Sequence, residues 1–201
     1  MSKSSWMWAA AAVAATAGSA QAALLISALT VTDLGNGEHE WKYTVAVQPN
    51  AIMRVVATPP PAGALANDAF TLYDFVGYVP GSASIINPVA GSVFSLTEQL
   101  VGLTPPLVTP TDSPSIVNFT VSLVGGSNIV PGATAVNAFT LVARTTAGGI
   151  SPAGLTNFTG QTFSDVTGFT QSNIGLVRAP IPEPAMLGLF APLALLGLRR
   201  R

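Results

Sequence analysis

Glu38, His39 and Glu40 are the densest set of reactive side chains in this chain of 201 residues, and His39 is its only histidine. Residues i and i+2 of a strand lie about 7 Å apart on one face, which would put the two glutamates at the separation inverting glycosidases use for an acid and a base. A hydroxyl nucleophile would need His39 as its base, but on the same strand that ring points away from both carboxylates, so no triad forms locally. Lys42 continues the glutamate face and partly neutralises it. With no further group in support, the pair reads as solvated carboxylates at a hairpin mouth, His39 as an exposed hairpin residue, and no residue is assigned to catalysis.

Metal chemistry has little to work with. There is no cysteine, so soft ligand sets, disulfides and a lipidated cysteine are all excluded, and only oxygen donors remain for a hard cation such as calcium. Asp68 and Asp74 flank or interrupt an aromatic run, while Asp112 and Asp165 fall in turns. Their spacing matches no calcium loop, and Asp112 in Thr-Asp-Ser-Pro reads as a turn residue bonding its own backbone. Neither metal nor cofactor is expected. Trp41, Tyr43, Tyr73 and Tyr78 could stack on sugar rings if they faced solvent, the signature of a carbohydrate-binding module. For Trp41 and Tyr43, which alternate with charged residues, the core is favoured.

These residues must be held by strands. Thirteen prolines fall between Ala23 and Ile181, with glycines between them, which disfavours helix. From Leu24 to Leu34, Leu25, Leu29 and Val31 share a face with Ser27 and Asp33, and Gly35-Asn36-Gly37 is a strong turn signal. The return strand carries Trp41, Tyr43, Val45 and Val47 on one side and Glu40, Lys42, Thr44 and Gln48 on the other, so a hairpin with one buried and one wet face is expected. The region past Pro49, through Pro59-Pro60-Pro61, reads as an extended connection or surface loop. Ala69 to Val79 has large side chains on both faces, as a strand inside a sandwich would. Further strands are expected over Ser92 to Leu96, Val117 to Val124, Ala138 to Arg144, Phe158 to Phe163 and Asn173 to Arg178. About eight short strands between turn clusters predict a mainly β fold, an antiparallel β-sandwich of jelly-roll or immunoglobulin-like type. No segment repeats at a fixed period.

The two ends have a different character. Lys3 precedes Trp6-Met7-Trp8 and an Ala-rich run to Ala15, followed by Ser19-Ala20-Gln21-Ala22. This is the layout of a secretory leader, with a signal helix and cleavage after Ala22 at the Ala20-x-Ala22 pattern. At the other end Pro182-Glu183-Pro184 precedes an uncharged run from Ala185 to Leu198 and then Arg199, Arg200 and Arg201. Both prolines lack a donor and favour extended neighbours, which keeps the motif open. The run of 14 residues reaches about 21 Å as a helix, short of the hydrocarbon core of about 30 Å. Pro192 weakens it further. The arginines would stay on the cytoplasmic side, which places everything upstream across the membrane.

This three-part tail resembles the PEP-CTERM sorting signal of exported bacterial proteins. The resemblance covers about the last tenth of the chain. It implies recognition by exosortase, a membrane peptidase, with transient membrane insertion through residues 185–198 and removal of the tail near Pro182. It also implies delivery to the cell surface or an extracellular polysaccharide matrix. A weak single-pass anchor has similar composition, but the motif, apolar run and terminal arginines in this order favour a sorting signal. The stretch Phe70 to Phe75 is similar to one in other exported domains carrying such a tail, with no activity attached. In a bacterial chain, Asn118-Phe119-Thr120 and Asn157-Phe158-Thr159 read as strand residues rather than glycosylation acceptors.

The expected organisation is a leader over residues 1–22, an exported sandwich over 23–179, and a sorting tail over 180–201 with its own hydrophobic helix. Between Ala23 and Ile181 four basic residues face eight acidic ones, a net charge of −4. Such a surface is unsuited to nucleic acid, whose phosphates need clustered lysine and arginine. The expected protein is therefore a non-enzymatic, exported structural or interaction protein. Its partners would be the secretion machinery, exosortase and, as one alternative, the exopolysaccharide itself. A glycoside-acting hydrolase would instead require Glu38 or Glu40 in a cleft opposite another carboxylate.

Overall fold

A computed structural model describes residues 23–56, 68–147 and 154–180, and in them the chain is mainly β, with no helix. The expected signal helix and C-terminal hydrophobic helix lie outside the described residues. The strands are β1 (Leu24–Asp33), β2 (His39–Val47), β3 (Ala51–Ile52), β4 (Ala69–Phe75), β5 (Ser84–Ile86), β6 (Val93–Gln99), β7 (Val117–Gly125), β8 (Val136–Thr145), β9 (Gly154–Ser164) and β10 (Thr170–Ala179). They form two antiparallel sheets, one in the order β1-β2-β8-β5 and the other β10-β9-β4-β7-β6, with β3 also pairing β9. All eight of the longer strands fall where alternation and turn residues place them. The short β3 and β5 carry no alternation long enough to detect.

The expected β1–β2 hairpin is present, but its register corrects the reading of β1. A bulge between Ile26 and Ala28 leaves Ser27 unpaired, and the face that begins with Leu24 and Ile26 continues through Leu29 and Val31. Leu25 pairs with Ala46 on the other face. One extra residue reverses the parity of everything after it. On β2 the expectation holds: Trp41, Tyr43, Val45 and Val47 are all buried, while Glu40, Lys42 and Thr44 are half-buried on the wet side.

β4 is buried on both faces, as its aromatic content predicts. Phe70, Leu72 and Phe75 enter the core between the sheets, where Phe70 meets Phe139 edge-on at 6.0 Å and Phe75 meets Phe119 at 5.3 Å. Each fully buried side chain of this size stabilises by about 2 kcal/mol. The alternate residues point outward and align across strands: Thr97 with Thr120, Thr120 with Thr71, and Thr71 with Thr159. The long connection from Leu100 to Ile116 is tied over this threonine row. Tyr73 donates its hydroxyl to the Leu103 carbonyl, and the Gly102 backbone packs so tightly on the Tyr73 ring that a Cβ there would lie 2.4 Å from it.

One amide joins the two sheets at their free edges. Asn173, on the last strand, accepts the Leu24 N–H at 3.1 Å and donates to the Leu24 carbonyl at 2.8 Å. Both groups are buried, and Leu24 belongs to the first strand. Gly160 leaves room for this approach, since a Cβ there would come within 2.6 Å of both Asn173 Oδ1 and Leu24 Cβ. Tyr43 adds a second tie by donating its hydroxyl to the Arg178 carbonyl at 3.1 Å. Asn173→Ala strands a buried donor and a buried acceptor and should cost roughly 2–4 kcal/mol. Gly160→Ala should be comparably damaging, because the neighbours it meets are a strand side chain and the amide itself. Denaturant midpoints of the two variants, compared with Ile174→Ala on the exposed side of the same strand, test the assignment; equal midpoints for all three would refute it.

Candidate functional site

Most of the residues singled out for chemistry fall at one end of the sandwich, while Asp68 precedes β4 and Asp165 follows β9 at the opposite end. The first end holds the β1–β2 turn, the C-terminal ends of β4, β6, β8 and β10, and the starts of β7 and β9. Glu40 pairs with Lys42 at 2.8 Å, and Glu38 lies 3.9 Å from Arg144 Nη1. Glu38 sits just before β2 rather than within it. The two carboxylates therefore form a charge ladder on the outer face of the first sheet. They do not face another carboxylate across a cleft.

His39 departs from its expected exposure. It shares a face with Trp41 and Tyr43, its side chain is only 14% exposed, and its Nδ1 lies 4.0 Å from Asp33 Oδ1. Among the described residues neither His39 Nδ1 nor Trp41 Nε1 has a hydrogen-bond partner. Of the four aromatics weighed as a sugar platform, three are interior and Tyr78 is half-buried. Trp41, Tyr43 and Tyr73 are buried, and Tyr78 packs against Phe75 and Phe119 while its hydroxyl donates to Glu98. The same hydroxyl accepts the N–H groups of Gly81 and Ala83. An exposed row of these four rings is absent.

The aspartates have specific structural work. Asp68 is fully buried and chelates Arg54, accepting its backbone N–H and Nε–H through one oxygen and its Nη2 through the other at 2.7 Å. The Arg54 guanidinium also lies 4.7 Å from the centre of the Phe163 ring. Asp112 does not bond its own backbone, as its sequence neighbours imply. It accepts from Gly102 N–H at 2.9 Å and from Asn118 Nδ2 at 2.8 Å, and Asn118 also donates to the Leu100 carbonyl. This fixes both ends of the connection that crosses the outer sheet face. Asn118 is fully buried, and Asn157 is half-buried with its amide oxygen taken by the Thr111 N–H, so both asparagines are strand residues as expected. Among the described residues no three His, Cys, Asp or Glu side chains are placed to hold a metal ion.

A cleft of about 320 Å³ opens beside this cluster. Asp74, Thr111, Thr156 and Asn157 give it polar groups, and Leu155, Leu176, Ala179 and Pro180 form its apolar wall. Asp74 reaches it because a bulge between Leu72 and Phe75 puts the residue at a φ of 50°, a conformation that aspartate and asparagine tolerate. One Asp74 oxygen accepts the Ser113 N–H at 2.9 Å. Burial raises the Asp74 pKa above its ordinary 3.8, the Ser113 hydrogen bond opposes this, and the nearby Asp112 charge adds to it. Periodicity could not locate this cleft, since its wall comes from residues 74–76, 111, 154–157 and 176–180, distant in sequence.

Comparisons with known proteins supply no relative: no family model, no curated protein and no solved structure matches this chain. Ala20, Ala22, Pro182, Glu183, Pro184 and Arg199 to Arg201 lie outside the described residues.

A raised carboxyl pKa means that folding favours the protonated form. The Asp74 contribution to stability is thus present below about pH 3.8 and is lost as pH rises through the folded pKa. Asp74→Asn keeps an acceptor for Ser113 and suits the backbone. Its denaturant midpoint should therefore exceed the parent's at pH 7 and converge with it near pH 3, whereas a lower midpoint at pH 7 would show that the carboxylate is favourably paired.

Proposed function

We propose that this chain is an exported structural or interaction protein whose β-sandwich is the cargo of two removable terminal signals. The leader is removed after Ala22, and an exosortase-type membrane peptidase processes the tail near Pro182-Glu183-Pro184. The product is delivered to the cell surface or an extracellular polysaccharide matrix. In this reading the domain is an immunoglobulin-like or jelly-roll sandwich and performs no catalysis.

The observation that carries the reading is the fit between the signals and the stitched strands. β1 starts at Leu24, two residues past Ala22, and β10 stops at Ala179, three residues before Pro182. The hydrophobic core of the described residues runs from Ala23 to Val177. The ties described above, including the Asn173 clamp, join residues within 23–180. The engagement of Glu38 and Glu40 with cations supports a non-catalytic role. The interior placement of Trp41, Tyr43 and Tyr73 gives no support to an aromatic sugar platform.

Mass spectrometry of the protein from cells with and without the sorting peptidase tests this directly. The expected mature species begins at Ala23 and ends near Pro182 in normal cells, and keeps residues 185–201 when the peptidase is absent. Intact ends in both strains would overturn the proposal.

A further inference from the structure

The exposed apolar surface beside the chain's exit is placed to meet a membrane. β10 ends at Ala179, and Pro180 is buried in the wall of the cleft. Only five peptide units separate Pro180 from Ala185, where the uncharged run begins. Even fully extended they span no more than about 18 Å. If residues 185–198 lie in the bilayer, as the proposed function holds, this end of the sandwich cannot leave the headgroup region by more than that distance.

The surface held there has the composition of an interfacial contact. Leu155 is 66% exposed and Leu176 64% exposed, and both line the cleft next to Pro180. They share the outer face of β9 and β10 with Arg178, the register partner of Leu155. Arg178 is exposed and has no carboxylate partner among the described residues, unlike Arg54 and Arg144. Leu100 and Val101, each about half exposed, leave β6 at the same end. Exposed leucines with an unpaired arginine match the apolar layer and phosphates of a lipid surface. The acidic groups of this end are engaged or elsewhere: Asp33 and Glu38 belong to the β1–β2 turn of the other sheet, Glu40 pairs with Lys42, Glu98 accepts the Tyr78 hydroxyl, and Asp112 is bound by Gly102 and Asn118. Asp74 is recessed in the cleft.

We infer that the corner formed by Leu155, Leu176 and Arg178 docks on the membrane surface while the tail is inserted, before the domain is released. This rests on the tail-insertion reading above and adds an orientation to it. The exit end faces lipid, and the β9–β10 turn, about 33 Å away along a ten-residue strand, faces away. That distal turn exposes Phe169 at 74% and Val166 at 69%, so hydrophobicity alone would not choose between the two ends. The length of the tether does.

The absence of cysteine permits a clean test. Single variants Leu155→Cys, Leu176→Cys and Phe169→Cys, all at well-exposed positions, are made in cells lacking the sorting peptidase. The tail-bearing protein is purified from their inner membranes, labelled with an environment-sensitive fluorophore, and reconstituted into vesicles of phosphatidylethanolamine with a minor share of phosphatidylglycerol. A headgroup-level nitroxide lipid should quench the label several-fold at 155 and 176 and leave it unchanged at 169. Arg178→Gln should weaken the quenching at 176 without releasing the protein from the vesicles. Vesicle-bound protein with no quenching at 155 and 176, or with equal quenching at 169, overturns the docked orientation and leaves tail insertion standing. Protein that is found soluble, and never in the membrane fraction, defeats the tail-insertion reading and the inference together.

Discussion

The amide of Asn173 bonded to both backbone groups of Leu24 is the contact on which the arrangement of this sandwich depends. A two-sheet protein without disulfides must hold its layers together by burial, and burial alone does not fix how the edges meet. Here the first strand and the last are free edges of different sheets, and one side chain spans them through two hydrogen bonds in a buried setting. Gly160 gives up its side chain to let them approach. The tie joins positions 149 residues apart in sequence, so it can form only after nearly the whole domain has been made. A chain translocated from its N-terminus would keep β1 unlocked until β10 arrives.

The same economy governs the ionisable residues of the described domain. In a charge-poor chain, the few ionisable groups are used to close structure. Asp68 grips Arg54 on either side of the proline-rich connection, Asp112 and Asn118 pin the long crossing segment, Glu98 receives the Tyr78 hydroxyl, and Glu40 holds Lys42. Burial raises the pKa of Tyr43 well above its ordinary value and also raises those of Tyr73 and the half-buried Tyr78. Asp74 is less fully engaged than Asp68 or Asp112, recessed in the cleft with one backbone donor.

Most of the fold was legible in the sequence because its signal is local. The Gly35-Asn36-Gly37 turn and the alternation from Glu40 to Gln48 specify a hairpin, and the doubly apolar Phe70 to Phe75 stretch specifies a central strand. What escaped depends on contacts far apart in the chain. The bulge at Ser27 reverses the face of Leu25 and is marked by no glycine or proline. The partners of Asp112 lie ten residues before it and six after it, beyond any turn rule. His39 was expected in solvent because its neighbours are charged, yet strand parity sends it inward with Trp41. The cleft was wholly out of reach, being assembled from four separate segments. The proposed terminal signals are the reverse case, since that reading rests on composition and order and owes nothing to the described fold.

The central claim is that the segment from Ala23 to Pro180 contains its own core and needs neither apolar terminus to fold. The most direct measurement is equilibrium denaturation of that excised segment, followed both by tryptophan fluorescence, which reports only Trp41 in the absence of Trp6 and Trp8, and by far-ultraviolet circular dichroism. The account predicts one cooperative transition, coincident for both probes, with Trp41 emission shielded from water before it. A broad transition, probes that disagree, or a solvent-exposed Trp41 in native buffer would contradict it.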